Sequence, residues 1–335
     1  MHTAERTTLA RLPSGVRIET TVHRYGTGDG PTLYVQAAQH GREINGTELL
    51  RRLHVGLTSD ESAHLPGAVD HTALDGTLIA VPLADPLTFD RVSYTTPEPI
   101  DSAHPNMNRC WPGDPEGTVH ERMAARLWAE AEEADAIVDL HTGSPEMLTH
   151  TVYLRGNDDA RQLAEAFGTN VLLAEAAGDD ADAEWNDRNF GRKLRVAATR
   201  EGIPAITPEL GSNKQLDGEA IAAGLRGLVD LCRHLDLLDG EPEPWDGTRA
   251  TNHLGRVRAT DSGLFVVAEG VDLGMAVDEG DRLGTVYDPT SYESLQDATA
   301  DREGIVYSIA REATVTAGQT LIGIAERLVD AEPNR

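Results

Sequence analysis

The feature that most constrains this chain is a periodicity that changes once along its length. Over the first ~240 residues, short apolar runs alternate with segments of helical spacing, the pattern of an α/β layered fold. The runs Val16–His23, Thr32–Gln39, Thr77–Val81, Ala136–Leu140, Thr151–Leu154, Val171–Ala174 and Ala205–Glu209 are predicted strands. Ile44–Val55 places Ile44, Leu49, Leu50 and Leu53 at helical spacing. Thr118 and Glu121 form a capping-box signature that opens a helix to about Ala134. A long amphipathic helix is expected from about Glu219 to Leu238. The stretch "DGEPEPWDG", residues 239–247, is rich in Pro, Gly and acids and reads as a linker. Beyond it, short apolar runs such as Leu264–Val267 and Ile305–Tyr307 are separated by Gly and Asp turns, as in a small all-β unit. The expected organisation is one α/β domain over 1–240 and a C-terminal β-sandwich or barrel-like domain over 248–330.

Charge narrows the class of partner. The net charge is −27 at pH 7, and lysine occurs only at Lys193 and Lys214. The acids are spread along the chain, and such a surface stays hydrated where salt screens its self-repulsion. A salt-adapted (halophilic) source is the expectation, with an acidic mesophile protein as the plainer alternative. Nucleic acid is a disfavoured partner, because phosphate binding needs basic patches. No run approaches the ~20 apolar residues of a membrane span, and Met1 to Arg11 has no apolar signal core, so cytoplasmic is the expected location. Cys110 and Cys232 stand at unrelated spacing and support no disulfide framework. Both are expected to be packing residues. A homo-oligomer stays open.

Chemistry-bearing residues collect at two strand ends. His40 and Glu43 follow the strand 32–39 and precede a helix, and His141 closes the apolar run "AIVDLH". In open α/β sheets that edge is where ligands bind. Two histidines and a carboxylate leave a fourth zinc position open for water, as a catalytic site requires. Asp139, two residues before His141, points to the same face and is placed to orient an imidazole. A strand-end histidine is more often plain polar decoration, and HxxE recurs by chance, so spacing alone does not decide between metal site and strand end.

Four motifs in order, "QHGREINGTELL" (39–50), "NMNRCWPG" (106–113), "DLHTG" (139–143) and "TPELG" (207–211), resemble those of the succinylglutamate desuccinylase/aspartoacylase family, relatives of the zinc carboxypeptidases. The resemblance implies a three-layer mixed-sheet zinc-hydrolase domain followed by a small β domain. It makes His40, Glu43 and His141 the ligands of one Zn2+ per chain and Glu209 the catalytic carboxylate. It makes Asn108 and Arg109 the pair that contacts a substrate carboxylate. Arg109 has the planar fork suited to that task, though a surface ion pair is the commoner use of an arginine. Glu209 ends an apolar strand, where burial raises a carboxylate's pKa toward a range useful for proton transfer.

The sequence departs from the family pattern at two places. Family members often carry an arginine shortly after an "NPxxF"-like stretch, which polarises the scissile carbonyl. Here the stretch is "ADPLTFDRVSYTTPEP", Arg91 stands early, and Ser93 and Tyr94 occupy the expected region. Asn106 stands where some members have Asp. Arg42 is a further arginine close to the proposed ligands. In the terminal region, 263–289 resembles half of a biotinyl/lipoyl-type sandwich, but both lysines precede residue 215, which excludes cofactor attachment there. Packing, shielding of the site or oligomer contact remain its possible roles. The expected function is zinc-dependent removal of a small acyl group from an N-acylated amino acid or related small amide. The alternatives are a carboxypeptidase acting on short peptides and a catalytically silent zinc-binding interaction protein.

Overall fold

The structure, a computed structural model, describes residues 1–58, 74–143, 146–181, 183–251 and 256–328. The first part of the chain forms β1 (His2–Arg11), β2 (Arg17–Gly26), β3 (Thr32–Ala37), α1 (Asn45–Thr58), β4 (Thr77–Val81), α2 (Pro86–Phe89) and α3 (Val119–Ala131). It continues with β5 (Ala136–Gly143), β6 (Glu146–Met147), β7 (His150–Leu154), α4 (Asp158–Phe167), β8 (Val171–Glu175), α5 (Ala183–Asp187), α6 (Leu194–Arg200), β9 (Ala205–Ser212) and α7 (Gly218–His234). The remainder is β10 (Thr248–Thr251), β11 (Val257–Arg258), β12 (Gly263–Val267), β13 (Ala276–Val277), β14 (Arg282–Tyr287), β15 (Ser294–Thr299), β16 (Gly304–Ile309), β17 (Thr314–Val315) and β18 (Thr320–Ala325).

Nine strands form one mixed sheet in the order β1-β2-β4-β3-β5-β9-β7-β8-β10. Its centre, β4-β3-β5-β9, is parallel. These strands are apolar throughout because both faces are covered. Leu33, Val35, Ala37, Val138 and Leu140 pack on one face with Leu49 and Leu53 of α1, Leu163 of α4 and Leu225 of α7. Tyr34 and Ile137, one residue out of phase, pack on the other with Met123 and Leu127 of α3 and Ala197 of α6. The alternation of side chains along each strand thus produces the α/β layering expected from the periodicity and the three layers implied by the family resemblance.

The capping box at Thr118 is present, and α3 starts on the next residue. Strand β1 has no counterpart among the strands expected from the sequence. Its first residues are mostly exposed, so burial imposed little pattern on them. Beyond the linker, Thr248–Thr251 pairs in parallel with β8 at the edge of the main sheet. The expected second-domain boundary at 248 therefore falls on a strand of the first sheet. The other terminal strands form two small sheets, β15-β14-β12-β17 and β11-β18-β16-β13, around Phe265, Val286, Val306, Leu321 and Ile324. Strand β6, directly after β5, pairs with β16 and joins this region to the end of the main sheet.

Candidate active site

The site is built where β3, β5 and β9 end side by side. After β3 the backbone turns through Ala38 at φ 54°, a conformation that costs a non-glycine residue on the order of 1–3 kcal/mol. His40 follows, and then Gly41 packs flat against α2. A Cβ on Gly41 would sit 2.1 Å from backbone atoms of Thr88 and Phe89, so no side chain fits. The Gly41 N–H donates to Thr88 Oγ1 at 3.1 Å, and Asp85 caps α2 by accepting from the N–H groups of Leu87 and Thr88. The turn therefore has a fixed shape that presents His40 and Glu43 together.

His40, Glu43 and His141 are buried, and each offers a ligand atom within 4.8 Å of the others. His40 Nδ1 lies 2.9 Å from Glu43 Oε1, and His141 Nδ1 lies 2.8 Å from Glu43 Oε2. The far ring nitrogens are each held by an oxygen. His141 Nε2 faces Asp139 Oδ2 at 2.9 Å, and His40 Nε2 faces Asn106 Oδ1 at 3.1 Å. With the Nε2 protons donated outward, both Nδ1 lone pairs converge on the carboxylate, the tautomer a metal requires. Three donors of the N, N, O type at this spacing fit a divalent metal such as zinc. Asp139 is itself fixed by Gln36 Nε2 at 3.0 Å and by Gln39 Nε2 at 2.7–2.8 Å. Trp111 Nε1 in turn donates to Gln39 Oε1 at 2.8 Å.

Charge in the cluster is shared between the carboxylates and the imidazoles. Burial alone would raise the Glu43 carboxyl, but the imidazoles of His40 and His141 hold it well below the usual carboxylate range. Burial opposes charge on His141 too, yet Asp139 and Glu43 lift its pKa well above the ordinary imidazole value.

Glu209 sits in β9 opposite His141 of β5 and, on its other side, opposite His150 of β7. Burial pushes its carboxyl up to about 7; His141 opposes this, and the Glu43 charge adds to it. Among the described residues no hydrogen bond occupies its carboxylate. His150 is held neutral, its pKa lowered to about 4 by burial, with Nδ1 donating to the Leu148 carbonyl at 2.7 Å.

A cavity of ≈ 270 Å³ opens over these groups. All the residues expected from the sequence line it: His40, Glu43, Asn108, Arg109, His141 and Glu209. Asn108 Nδ2 lies 3.2 Å from His141 Nε2, while its Oδ1 accepts from the Leu194 N–H at 3.2 Å. Arg109 donates to the carbonyls of Arg188 at 2.8 Å and Asn108 at 2.6 Å, and its guanidinium lies 4.4 Å from the Phe190 ring centroid. Arg91 is exposed and does not line the cavity, whereas Arg42 does. The Arg42 guanidinium lies 4.8 Å from the Tyr94 centroid, and the Tyr94 ring is 3.9 Å from that of His40. Cys110 is buried with its thiol pushed up to about 12 by burial, as befits a packing residue.

The sequence reading missed most of the cavity's positive charge. Arg188, Lys193, Arg195 and Arg256 line it beside Arg42 and Arg109, six cations against the carboxylates of Glu43, Glu175 and Glu209. Arg109, Arg188 and Lys193 all approach the ring of Phe190, at 4.4, 4.7 and 3.5 Å from its centroid. Glu175 is held low, at about 2, because Arg195 and Lys193 outweigh its burial. Lys193 is pressed down to about 7 by burial despite its 3.0 Å contact with Glu175. The Nε atoms of Arg42 and Arg195 and the Thr142 hydroxyl are buried without hydrogen-bond partners among the described residues. Donors left free in this way can donate to the oxygen atoms of a bound ligand. A signal was present: Arg188–Arg195 carries four basic residues in eight within a chain of net charge −27.

Known proteins resemble this chain in sequence and in fold. The profile of the succinylglutamate desuccinylase/aspartoacylase catalytic domain matches residues 29–235. The N-alpha-acetyl-L-2,4-diaminobutyric acid deacetylase of Halomonas elongata is 27% identical over 321 residues, covering 89% of this chain and 83% of the relative. The crystal structure of a succinylglutamate desuccinylase/aspartoacylase from Rhodobacter sphaeroides superposes with a TM-score of 0.79 at 22% identity, covering 98% of this chain and 96% of that one. The product-bound ectoine utilization protein EutE (DoeB) from Ruegeria pomeroyi gives 0.79 at 22% identity, covering 97% and 95%. From the profile match and the shared fold, the chain belongs to the succinylglutamate desuccinylase/aspartoacylase family.

Proposed function

We propose that this chain is a zinc-dependent deacylase that removes a small acyl group from an N-acylated amino acid. The observation that carries this reading is the convergence of His40, Glu43 and His141 beside the unengaged Glu209 carboxylate, under a wall of cations. When bound by His40, Glu43 and His141, zinc supplies Lewis-acid polarisation and acidifies water toward neutrality. Glu209 acts as the proton shuttle: its raised pKa suits it to take a proton from attacking water and return it to the departing amine. Asp139 and Asn106 hold the imidazoles in the ligating tautomer. Asn108 and Arg109 bind the substrate's α-carboxylate. Arg42, with its unpartnered buried Nε, polarises the scissile carbonyl in place of the arginine missing after Phe89.

The Halomonas relative is named for a substrate whose side chain bears an amine. The cavity here holds six cations and three carboxylates; Glu43 faces the two imidazoles, and Glu175 is already paired with Lys193 and Arg195. This surplus favours a substrate with a second carboxylate over one with a cationic side chain. Rates of amino-acid release from N-acetylaspartate, N-succinylglutamate, N-acetyl-2,4-diaminobutyrate and a short peptide test both levels of the reading. The dicarboxylates are expected to give the highest kcat/KM and the peptide none. Preference for the diaminobutyrate derivative would remove the second-carboxylate assignment, and cleavage of the peptide alone would make the chain a carboxypeptidase.

A further inference from the structure

A second group of metal-ligating side chains lies outside the catalytic cavity. His2 of β1, His23 of β2 and His54 of α1 each place a ring nitrogen within 4.8 Å of the others. The fold assembles them. In the β1–β2 ladder His2 stands opposite Tyr25 and Ala4 opposite His23, so His2, His23 and Tyr25 share one face of the sheet. Helix α1 lies over that face and brings the His54 ring to 4.9 Å from that of His2 and 5.5 Å from that of His23.

The His2 ring stacks on those of His23 and Tyr25, at 5.3 and 4.7 Å between centroids, and the nitrogen positions in the group also suit ligation. His2 Nε2 and His23 Nδ1 are 3.1 Å apart. A tetrahedral ion with Zn–N bonds of ~2.0–2.1 Å sets its nitrogens ~3.3 Å apart. His54 Nδ1 lies 2.9 Å from the Tyr25 hydroxyl, whose pKa is raised by burial, so the phenol stays neutral. The phenol oxygen can accept from His54 Nδ1–H, which leaves Nε2 bare for a metal.

We propose that His2, His23 and His54 form a second metal site, distinct from the catalytic one, which clamps the edge strand β1 onto α1. Three imidazoles with no carboxylate among them select a late first-row divalent cation such as Zn2+, Ni2+ or Cu2+ over Mg2+ or Ca2+. The site does not depend on the deacylase reading, since none of its residues lines the catalytic cavity.

The test uses the full chain without a polyhistidine tag, stripped of metal and titrated with Zn2+ by calorimetry. Two classes of site are expected. Glu43→Gln should weaken one, and His2→Asn/His23→Asn should weaken the other at least tenfold. Tyr25→Phe should weaken that second class by about 10–100-fold. In the Glu43→Gln background, Zn2+ should still raise Tm, and Cu2+ should show nitrogen hyperfine coupling in its electron paramagnetic resonance spectrum. Both effects should vanish with the histidine pair, while deacylation by His2→Asn/His23→Asn on an intact catalytic site stays unchanged. Should the double variant fail to fold, His2→Asn alone, near the start of an edge strand, carries the comparison. A Zn2+ stoichiometry and affinity unaffected by loss of His2, or a single class of site in the wild type, would overturn the proposal.

Discussion

At the residue scale, the site depends on environments that move pKa values in opposite directions. Burial raises Glu209 to about 7, while the imidazoles keep Glu43 ionised. Two neighbouring carboxylates whose pKa values are pushed apart suit the different tasks proposed for them, one to hold metal and one to carry protons. Glu209 works as a base only when deprotonated, so kcat/KM should rise with pH through its titration, and this acid limb should disappear in Glu209→Gln. Lys193 contributes positive charge only while protonated, and burial brings its pKa down to about 7. KM for a dicarboxylate substrate should therefore climb as pH rises above that point. Lys193→Arg, which stays charged at all accessible pH, should flatten the climb; a pH series of KM for both proteins checks this. The candidate ligands His40, Glu43 and His141 were legible in the sequence because His40 and Glu43 follow one apolar strand and His141 closes another, and because four motifs stand in order. The cationic wall was legible only in part: the basic cluster Arg188–Arg195 stands out in so acidic a chain, but its meeting with Arg42, Arg109 and Arg256 at one cavity follows only from the fold. His150 was hidden for another reason: its place beside Glu209 follows from the antiparallel register of β7 on β9, which no local pattern encodes.

At the scale of elements, the turn after β3 sets the precision of the site. Gly41 lets α2 approach so closely that a single methyl group would meet backbone at 2.1 Å. Gly41→Ala should cost about 1–3 kcal/mol in stability through that overpacking. It should reduce kcat/KM by at least tenfold as His40 and Glu43 shift, while Gly218→Ala, with open space around it and no left-handed backbone, should leave kcat/KM unchanged. Denaturant unfolding and steady-state kinetics on the two variants separate these outcomes. The parallel strands and α1, α3 and α7 could be read from periodicity, because burial on both faces or on one stripe writes itself into the sequence. Strand β1 could not, being an edge strand with most of its early side chains in water. Strands β6 and β10 are two and four residues long and are defined by what they pair with, β16 and β8. The first of these pairings, with Tyr307 and Arg256 at the cavity wall, gives the terminal region a part in shaping the site that its own sequence does not reveal.

At the scale of the molecule, a net charge of −27 surrounds a cationic cavity. Self-repulsion of this size destabilises the compact state at low ionic strength and is screened as salt is added. Tm should rise by roughly 5 °C or more between dilute buffer and molar NaCl, and a flat response would contradict a salt-adapted surface. Within the same field, the cavity cations provide the local attraction that an anionic substrate needs. No helix among the described residues is long and apolar enough to cross a membrane. The most direct test of the proposed chemistry compares wild type, Glu209→Gln and Glu43→Gln, each loaded with zinc, for metal content and for release of free amino acid from an N-acylated dicarboxylate. Glu209→Gln should keep the wild-type zinc content yet lose about 10²–10⁴-fold in kcat, and Glu43→Gln should lose both catalytic-site zinc and turnover. Wild-type turnover in either variant would contradict the assignment of metal and base.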